Sequence, residues 1–327
     1  MFPRGRALFF CFCCLFSVTS GAAQTVSNPI LDRPDPFITS APVNGRYLLL
    51  ATPSDDLTIW NGPTVPSSAS KATAVYHPTG LSEVWSPTLW HIEDRWWIYF
   101  TAREAGKEHA IYVLESDTVD PLGSYSFKGA LDLGRPAIDP SLLTIGNDNY
   151  LMFVTVDGSA NEIHMIQLKG PMQTKGHEAL MVKPMYPWER GAGSTMNYPV
   201  TEGPTALYHG DDTFLVYSGS DTASPLYCLG LLRFKGGNPM KRKHWIRSPQ
   251  PVFSAAPENG IYGPGRGTFA HGEDGSDWLL YAARTSDEAT QGGRATRAQR
   301  FSWKPDGSPD FGVPGKDGPI GDVPGEP

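Results

Sequence analysis

A short strand-like pattern recurs five times along this chain of 327 residues. The copies read RYLLLATP, RWWIYFTAR, NYLMFVTVD, TFLVYSGSD and DWLLYAAR, starting at Arg46, Arg95, Asn149, Thr213 and Asp277. Each is an apolar, aromatic-rich run bounded by polar or turn residues, the signature of a buried strand. Successive starts lie 49, 54, 64 and 64 residues apart. A strand-rich unit repeating at roughly 50 residues predicts an all-β chain, a five-bladed β-propeller with about four strands per blade. A short segment marked by Pro or Gly precedes every run: DRPDPFI at Asp35, VWSPTL at Ser86, AIDPSLL at Asp139, TEGPTAL at Glu202 and GPGRGTF at Arg266. The shared offset predicts equivalent points on the innermost strands, and it gives Asp35, Asp139 and Glu202 the same relative position in three blades.

The ends differ in kind from the repeats. Arg4 and Arg6 precede the apolar stretch ALFFCFCCLF, and Gly21, Ala22 and Ala23 follow as small residues suited to cleavage. Residues 1–23 therefore read as a secretory signal peptide. The apolar core is half the roughly 20 residues needed to span a bilayer, which argues against a membrane anchor. Cleavage would remove Cys11, Cys13 and Cys14 and leave Cys228 alone, so the mature chain could form no internal disulfide. Cys228, in YCLGLLRF, reads as a small buried apolar residue. Residues 24–304 are expected to form the single propeller domain. The last 23 residues carry six Pro and six Gly, a composition that predicts an extended tail over 305–327.

Charge narrows the function class. Without the signal segment 25 basic residues face 34 acidic ones, and the one basic run, Lys241 to His244, is short. Nucleic acid is an unexpected partner for such a surface. The eight His are scattered, and His91, His164 and His209 lie beside strands. No zinc-protease, nucleophile-elbow, Walker or dinucleotide fingerprint occurs.

What remains is the set of three acids. An Asp-Pro pair is by itself an ordinary turn starter. Acids at the head of apolar strands are costly to bury unless paired or used, and three in register point to a shared site. Two carboxyl groups flanking a bond suit glycoside hydrolysis, one protonating the leaving oxygen and the other activating water. A third carboxylate nearby would keep the acid protonated by like-charge repulsion. Aromatic residues near these points, Phe37 beside Asp35, Trp85 and Trp90 in the second segment and Trp60 after the first run, could stack on a sugar ring or fill core. Trp96 and Trp97 are adjacent and read as structural.

Taken in order, NPILDRPDPFI, SEVWSPTLWHI, AIDPSLL, EGPTALYHGDDTFLVYSGS, YCLGLLRF, GIYGPGRGTF and GRATRAQRFSWKPDGSPDFG resemble glycoside hydrolase family 43 over nearly the whole mature chain. The resemblance implies a five-bladed propeller and an inverting mechanism. It makes Asp35 the general base, Glu202 the general acid and Asp139 the residue that tunes and orients the acid. It also matches Arg297, in RATRAQ, to an arginine near the catalytic carboxylates, and with it Phe37 and Trp85, from the aromatic residues near the acids, are the expected substrate contacts. The EGPTAL and YCLGLL segments look most like members that release terminal α-L-arabinofuranose from plant cell-wall polysaccharide. β-Xylosidase or endo-arabinanase action on the same scaffold, and a non-catalytic carbohydrate-binding propeller, are the alternatives. The implied protein is a secreted, extracellular monomer without nucleic-acid or membrane partners. Two positions depart from the family pattern: Thr88 stands where relatives carry Glu, and Arg266 where they carry a His supporting a central calcium. The second departure leads to the expectation of no cofactor or metal, with His271 as the alternative ligand.

Overall fold

Every one of the five runs is the second strand of a four-stranded antiparallel sheet whose strands follow in chain order. The computed structural model describes residues 26–156, 159–190, 198–290 and 292–320. The first strands of the five blades are Phe37–Ile38, Leu81–Ile92, Ala137–Ile145, Thr201–His209 and Tyr262–His271. The second strands are Tyr47–Leu50, Arg95–Glu104, Asp148–Val156, Asp212–Gly219 and Asp277–Arg284. Two further strands complete each blade, and the result is an all-β, five-bladed propeller forming one domain. Among the described residues the helical pieces are short 3₁₀ turns, and no helix is long and apolar enough to cross a membrane.

The second strands are apolar throughout, rather than alternating, because both of their faces are covered by neighbouring blades. Leu48 and Leu50 join the core shared with blade 2, whereas Tyr47 and Leu49 join the core shared with blade 5. Trp96 and Trp97 divide the same way, one toward blade 1 and the other toward blade 3. Five such cores, one per blade interface, replace a single central core. The axis is thereby free for polar residues.

The ring closes through both chain ends. Ser27–Asn28 pairs with Gly318–Pro319, and the Asn28 amide exchanges two 2.8 Å hydrogen bonds with the backbone of Ala298 in blade 5. Residues past 304 also take part in this closure. Pro309–Asp310 is the outermost strand of blade 5, and Phe311, 1% exposed, packs among Phe253, Phe269 and Phe301. An edge strand tolerates proline because its outer N–H groups need no partner, so one aromatic anchor suffices to dock a Pro/Gly-rich segment. Strand pairing thus continues past residue 304, in Pro309–Asp310 and in Gly318–Pro319. The signal segment 1–23 and residues 321–327 lie outside the described residues.

Candidate active site

Each blade brings one residue in the left-handed region to the axis: Asp35 (φ 58°), Ser86 (φ 52°), Asp139 (φ 57°), Gly203 (φ 57°) and Arg266 (φ 54°). Four of the five precede a proline and the fifth precedes Gly267. In blades 2 to 5 the pairing register slips across this point, between Trp85 and Thr88, Ile138 and Ser141, Glu202 and Thr205, and Gly265 and Thr268. A bulge of this kind turns one side chain out of the sheet, here toward the axis. Left-handed backbone at a non-glycine residue costs roughly 1–2 kcal/mol, so four such residues in one ring mark a constrained functional region.

The ring corrects the sequence register in one respect. The fourth equivalent position belongs to Gly203, and Glu202 sits one residue earlier. A side chain at 203 would collide with Arg266, whose Cδ lies 2.9 Å from the point a Cβ would occupy. The bare backbone lets Arg266 pass, while Glu202 enters the site from the adjacent position on a longer arm.

Successive blades are clasped at the ring by hydroxyl groups. The N–H of Ser86 donates to Thr52 Oγ1 (3.0 Å), that of Asp139 to Thr101 Oγ1 (2.9 Å) and that of Arg266 to Ser218 Oγ (2.8 Å). In each case the acceptor lies on the second strand of the preceding blade or at its end, so one strained backbone is anchored by its neighbour.

Asp35, Asp139 and Glu202 converge on one cavity of about 650 Å³, within the range of small-molecule sites. Each is 8% exposed. Asp35 accepts hydrogen bonds from Thr52 Oγ1 and Arg294 Nη1, both at 2.7 Å. Burial alone would push its carboxyl up; the charges of Arg294 and Arg266, with these hydrogen bonds, outweigh burial and hold it below the ordinary carboxylate range. Asp139 accepts from Ser86 Oγ (2.7 Å) and from the N–H of Gly203 (2.9 Å). Glu202 accepts from Tyr227 Oη (2.9 Å) and from Asn161 Nδ2 (3.3 Å). Burial, and next the charge of Asp139, push the Glu202 carboxyl up to about 8. One carboxyl is thus ionised and another protonated at neutral pH, the division of labour that acid–base catalysis requires.

Trp85 lines the cavity, stacked on His109 with ring centroids 4.5 Å apart. Glu83 Oε2, 2.8 Å from His109 Nε2, supports that imidazole. Phe37 does not face the cavity. It is 7% exposed in the core between blades 1 and 2, edge-on to Trp90, because the residue two after Asp35 has already entered the buried strand. Arg297 is also elsewhere: its guanidinium holds Asp317 (2.9 Å) and the carbonyls of Ala283 (2.6 Å) and Ala295 (3.1 Å). The arginine at the carboxylates is Arg294, at the start of the same RATRAQ stretch. Arg294 lies just before the strand Ala295–Trp303 and reaches Asp35 of blade 1, whereas Arg297 lies within that strand and is held by Asp317 and Ala283.

Arg266, at the position of the expected metal-supporting histidine, is 3% exposed with Nη2 3.8 Å from Asp139 Oδ1. A guanidinium has only donors and cannot ligate a cation. Its Nε and Nη1 have no hydrogen-bond partner among the described residues, and the guanidinium brings positive charge to the cavity. His271, the alternative ligand, is instead at the far end of its strand, 2.9 Å from Asp277 Oδ1 and largely exposed. Sequence reasoning missed Thr52, His109, Asn161, Tyr198, Tyr227 and Arg294, all of which line the cavity. Tyr227, Thr52 and Arg294 stood in noted segments, YCLGLLRF, RYLLLATP and RATRAQ, whereas His109, Asn161 and Tyr198 carried no composition signal.

The family model of Glycosyl hydrolases family 43 matches residues 26–309. An alpha-L-arabinofuranosidase 43 from Humicola insolens is 30% identical over 98% of this chain and 69% of its own length. An extracellular exo-alpha-(1->5)-L-arabinofuranosidase from Streptomyces avermitilis is 31% identical over 90% of this chain and 64% of its own. The chain thus spans about two thirds of these relatives. The solved structure of an alpha-L-arabinofuranosidase from Lactobacillus brevis superposes with a TM-score of 0.81 at 26% identity, covering 89% of this chain and 97% of that one.

Proposed function

Because the chain belongs to glycosyl hydrolases family 43, we propose that it releases terminal α-L-arabinofuranose from arabinan or arabinose-decorated plant polysaccharide, with inversion. One observation carries this reading: in a single cavity Asp35 is held in its ionised form while Glu202 is pushed up to about 8. Asp35 takes a proton from water as that water attacks the anomeric carbon. The bond to the leaving oxygen breaks, and Glu202 delivers its proton there. Asp139 raises the proton affinity of Glu202 and sets its orientation through the adjoining Gly203 N–H. Trp85, propped on His109, offers an apolar face to the sugar, and Arg294 takes the place first given to Arg297. Base and acid come from blades 1 and 4, and separation across the ring leaves room for the water an inverting reaction needs.

The family kinship and the arabinofuranosidase names of the relatives favour an arabinoside over a xyloside. The Streptomyces relative is named extracellular, which supports reading residues 1–23 as a signal segment of a secreted protein. The test offers the secreted protein 4-nitrophenyl α-L-arabinofuranoside, the β-xyloside and linear arabinan, with proton NMR of the first sugar formed. Arabinose released first as the β-anomer is expected. First-formed α-anomer would overturn inversion, and oligosaccharides without arabinose would replace exo with endo action. Binding without turnover would make the propeller a carbohydrate-binding module.

A further inference from the structure

Blade 2 contributes the one uncharged side chain of the ring, Ser86, and its two polar groups serve two different carboxylates. Ser86 Oγ–H donates to Asp139 Oδ1 at 2.7 Å. Its N–H donates to Thr52 Oγ1 at 3.0 Å, and the Thr52 hydroxyl donates in turn to Asp35 Oδ2 at 2.7 Å. The direction of every bond is determined, because a backbone N–H only donates, an ionised carboxylate only accepts and a hydroxyl has one proton. Ser86 is 2% exposed, with its backbone held at φ 52°, which sets its end of the bridge in a rigid, buried frame, while Thr52 is half-buried at the cavity wall. Thr52 and Ser86 both line the cavity.

We propose that Thr52 and Ser86 are positioning residues that lock the carboxylates of Asp35 and Asp139 into one register across the first three blades. The roles given to the two acids rest on the functional reading above; the bridge itself rests on geometry. Asp35 also faces Arg294 and Arg266 from blade 5, while Glu202 faces Asp139, Tyr227, Arg294 and Asp35, and His109 lines the same cavity. The two variants leave these charged groups in place: Ser86→Ala removes one hydrogen bond, the donor to Asp139, and Thr52→Val removes two, the donor to Asp35 and the acceptor of the Ser86 N–H.

The two substitutions have different signatures. Thr52→Val keeps shape but removes the donor to Asp35, so the acidic limb of the kcat/KM profile should rise by about one pH unit while the alkaline limb stays. Thr52→Ser should restore it. Ser86→Ala keeps the N–H that anchors Thr52 and removes only the donor to Asp139. A freed Asp139 turns from Glu202 and repels it less, so the alkaline limb should fall by about half a unit or more. Turnover of arabino-oligosaccharide should drop about tenfold, with a smaller loss on the nitrophenyl glycoside, whose leaving group needs little protonation. Limbs that stay put while kcat falls, or that move together in both variants, would overturn the proposal, since a packing defect behaves so.

Side-chain carboxyl ¹³C NMR titration reads the same shifts without substrate. A Thr52→Val protein in which Asp35 titrates as in wild type sinks the bridge, whatever the enzyme hydrolyses. Wild-type protein inert on all three glycosides sinks the functional reading and leaves the NMR result to decide the bridge. Thr52→Ala substitutes if the valine variant does not fold.

Discussion

At the scale of single residues the site is a set of charges kept in unequal states by what surrounds them. Glu202 is the costly member. Its folded carboxyl holds a proton up to about 8 while an ordinary Glu releases it far lower. The folded state therefore binds more protons than the unfolded chain between those values, and stability falls as pH rises through that window. Glu202→Gln should abolish activity on natural arabinosides yet melt above wild type at pH 9, by on the order of 3 kcal/mol, and level with it at pH 4. Thermal melts across that range check both sign and window. Arg294 and Arg297 make a second contrast. Arg294→Gln removes the nearest positive charge from Asp35, so the base should titrate higher and the acidic limb move up with a loss of rate of about a hundredfold or more. Arg297→Gln breaks the tie to Asp317 and should lower the melting temperature while leaving the pH profile of the folded enzyme in place.

At the scale of elements, what matters is how a strand start is aimed. The short turn Pro187–Glu189 holds the chain ahead of Glu202. Glu189 is fully buried; its Oε2 accepts the N–H groups of Met185 (2.8 Å) and Tyr186 (2.9 Å). Its Oε1 accepts from Tyr217 Oη (2.7 Å) and from the Arg247 guanidinium, and its carbonyl accepts the N–H of Val200 at 3.1 Å. The brace thus joins blade 4 to the two residues before the acid. Glu189→Ala would leave a buried guanidinium unpaired, at a cost of roughly 3–5 kcal/mol in denaturant unfolding. If the protein still folds, it should lose kcat through a misplaced Glu202 rather than through its substrate affinity, which kinetics on the two glycoside types will separate.

At the scale of the molecule, a ring of five wedges is only as firm as its closure. Blade 5 meets blade 1 through its own core, and the two chain ends are tied beside it. Phe311 is the anchor of the last segment, and Phe311→Ala should destabilise by about 3–5 kcal/mol, measured as a shift in the denaturant midpoint. Truncation after residue 304 should cost more, since it also removes the partner of Ser27–Asn28. The axis carries the other prediction. With Arg266 beside Asp139, exhaustive chelation should leave both activity and melting temperature unchanged. A loss restored by calcium would show that a metal binds there despite the guanidinium.

The repeat made the architecture legible before any coordinates, because strands covered on both faces must be apolar and recur once per blade. It also singled out Asp35, Asp139 and Glu202, since acids at strand heads are too costly to place without use. Three things were decided only by the tertiary structure. The offset of Glu202 from the ring position follows from Arg266 crossing Gly203, a contact between blades 4 and 5. The choice of Arg294 over Arg297, and the loss of Phe37 to the core, follow from contacts between blades 5 and 1 and between blades 1 and 2, which composition does not encode. The docking of the Pro/Gly-rich end depends on one phenylalanine finding a pocket made by residues far earlier in the chain. Local periodicity is written in neighbouring residues, whereas register between blades is set by side chains that meet only after the ring has closed.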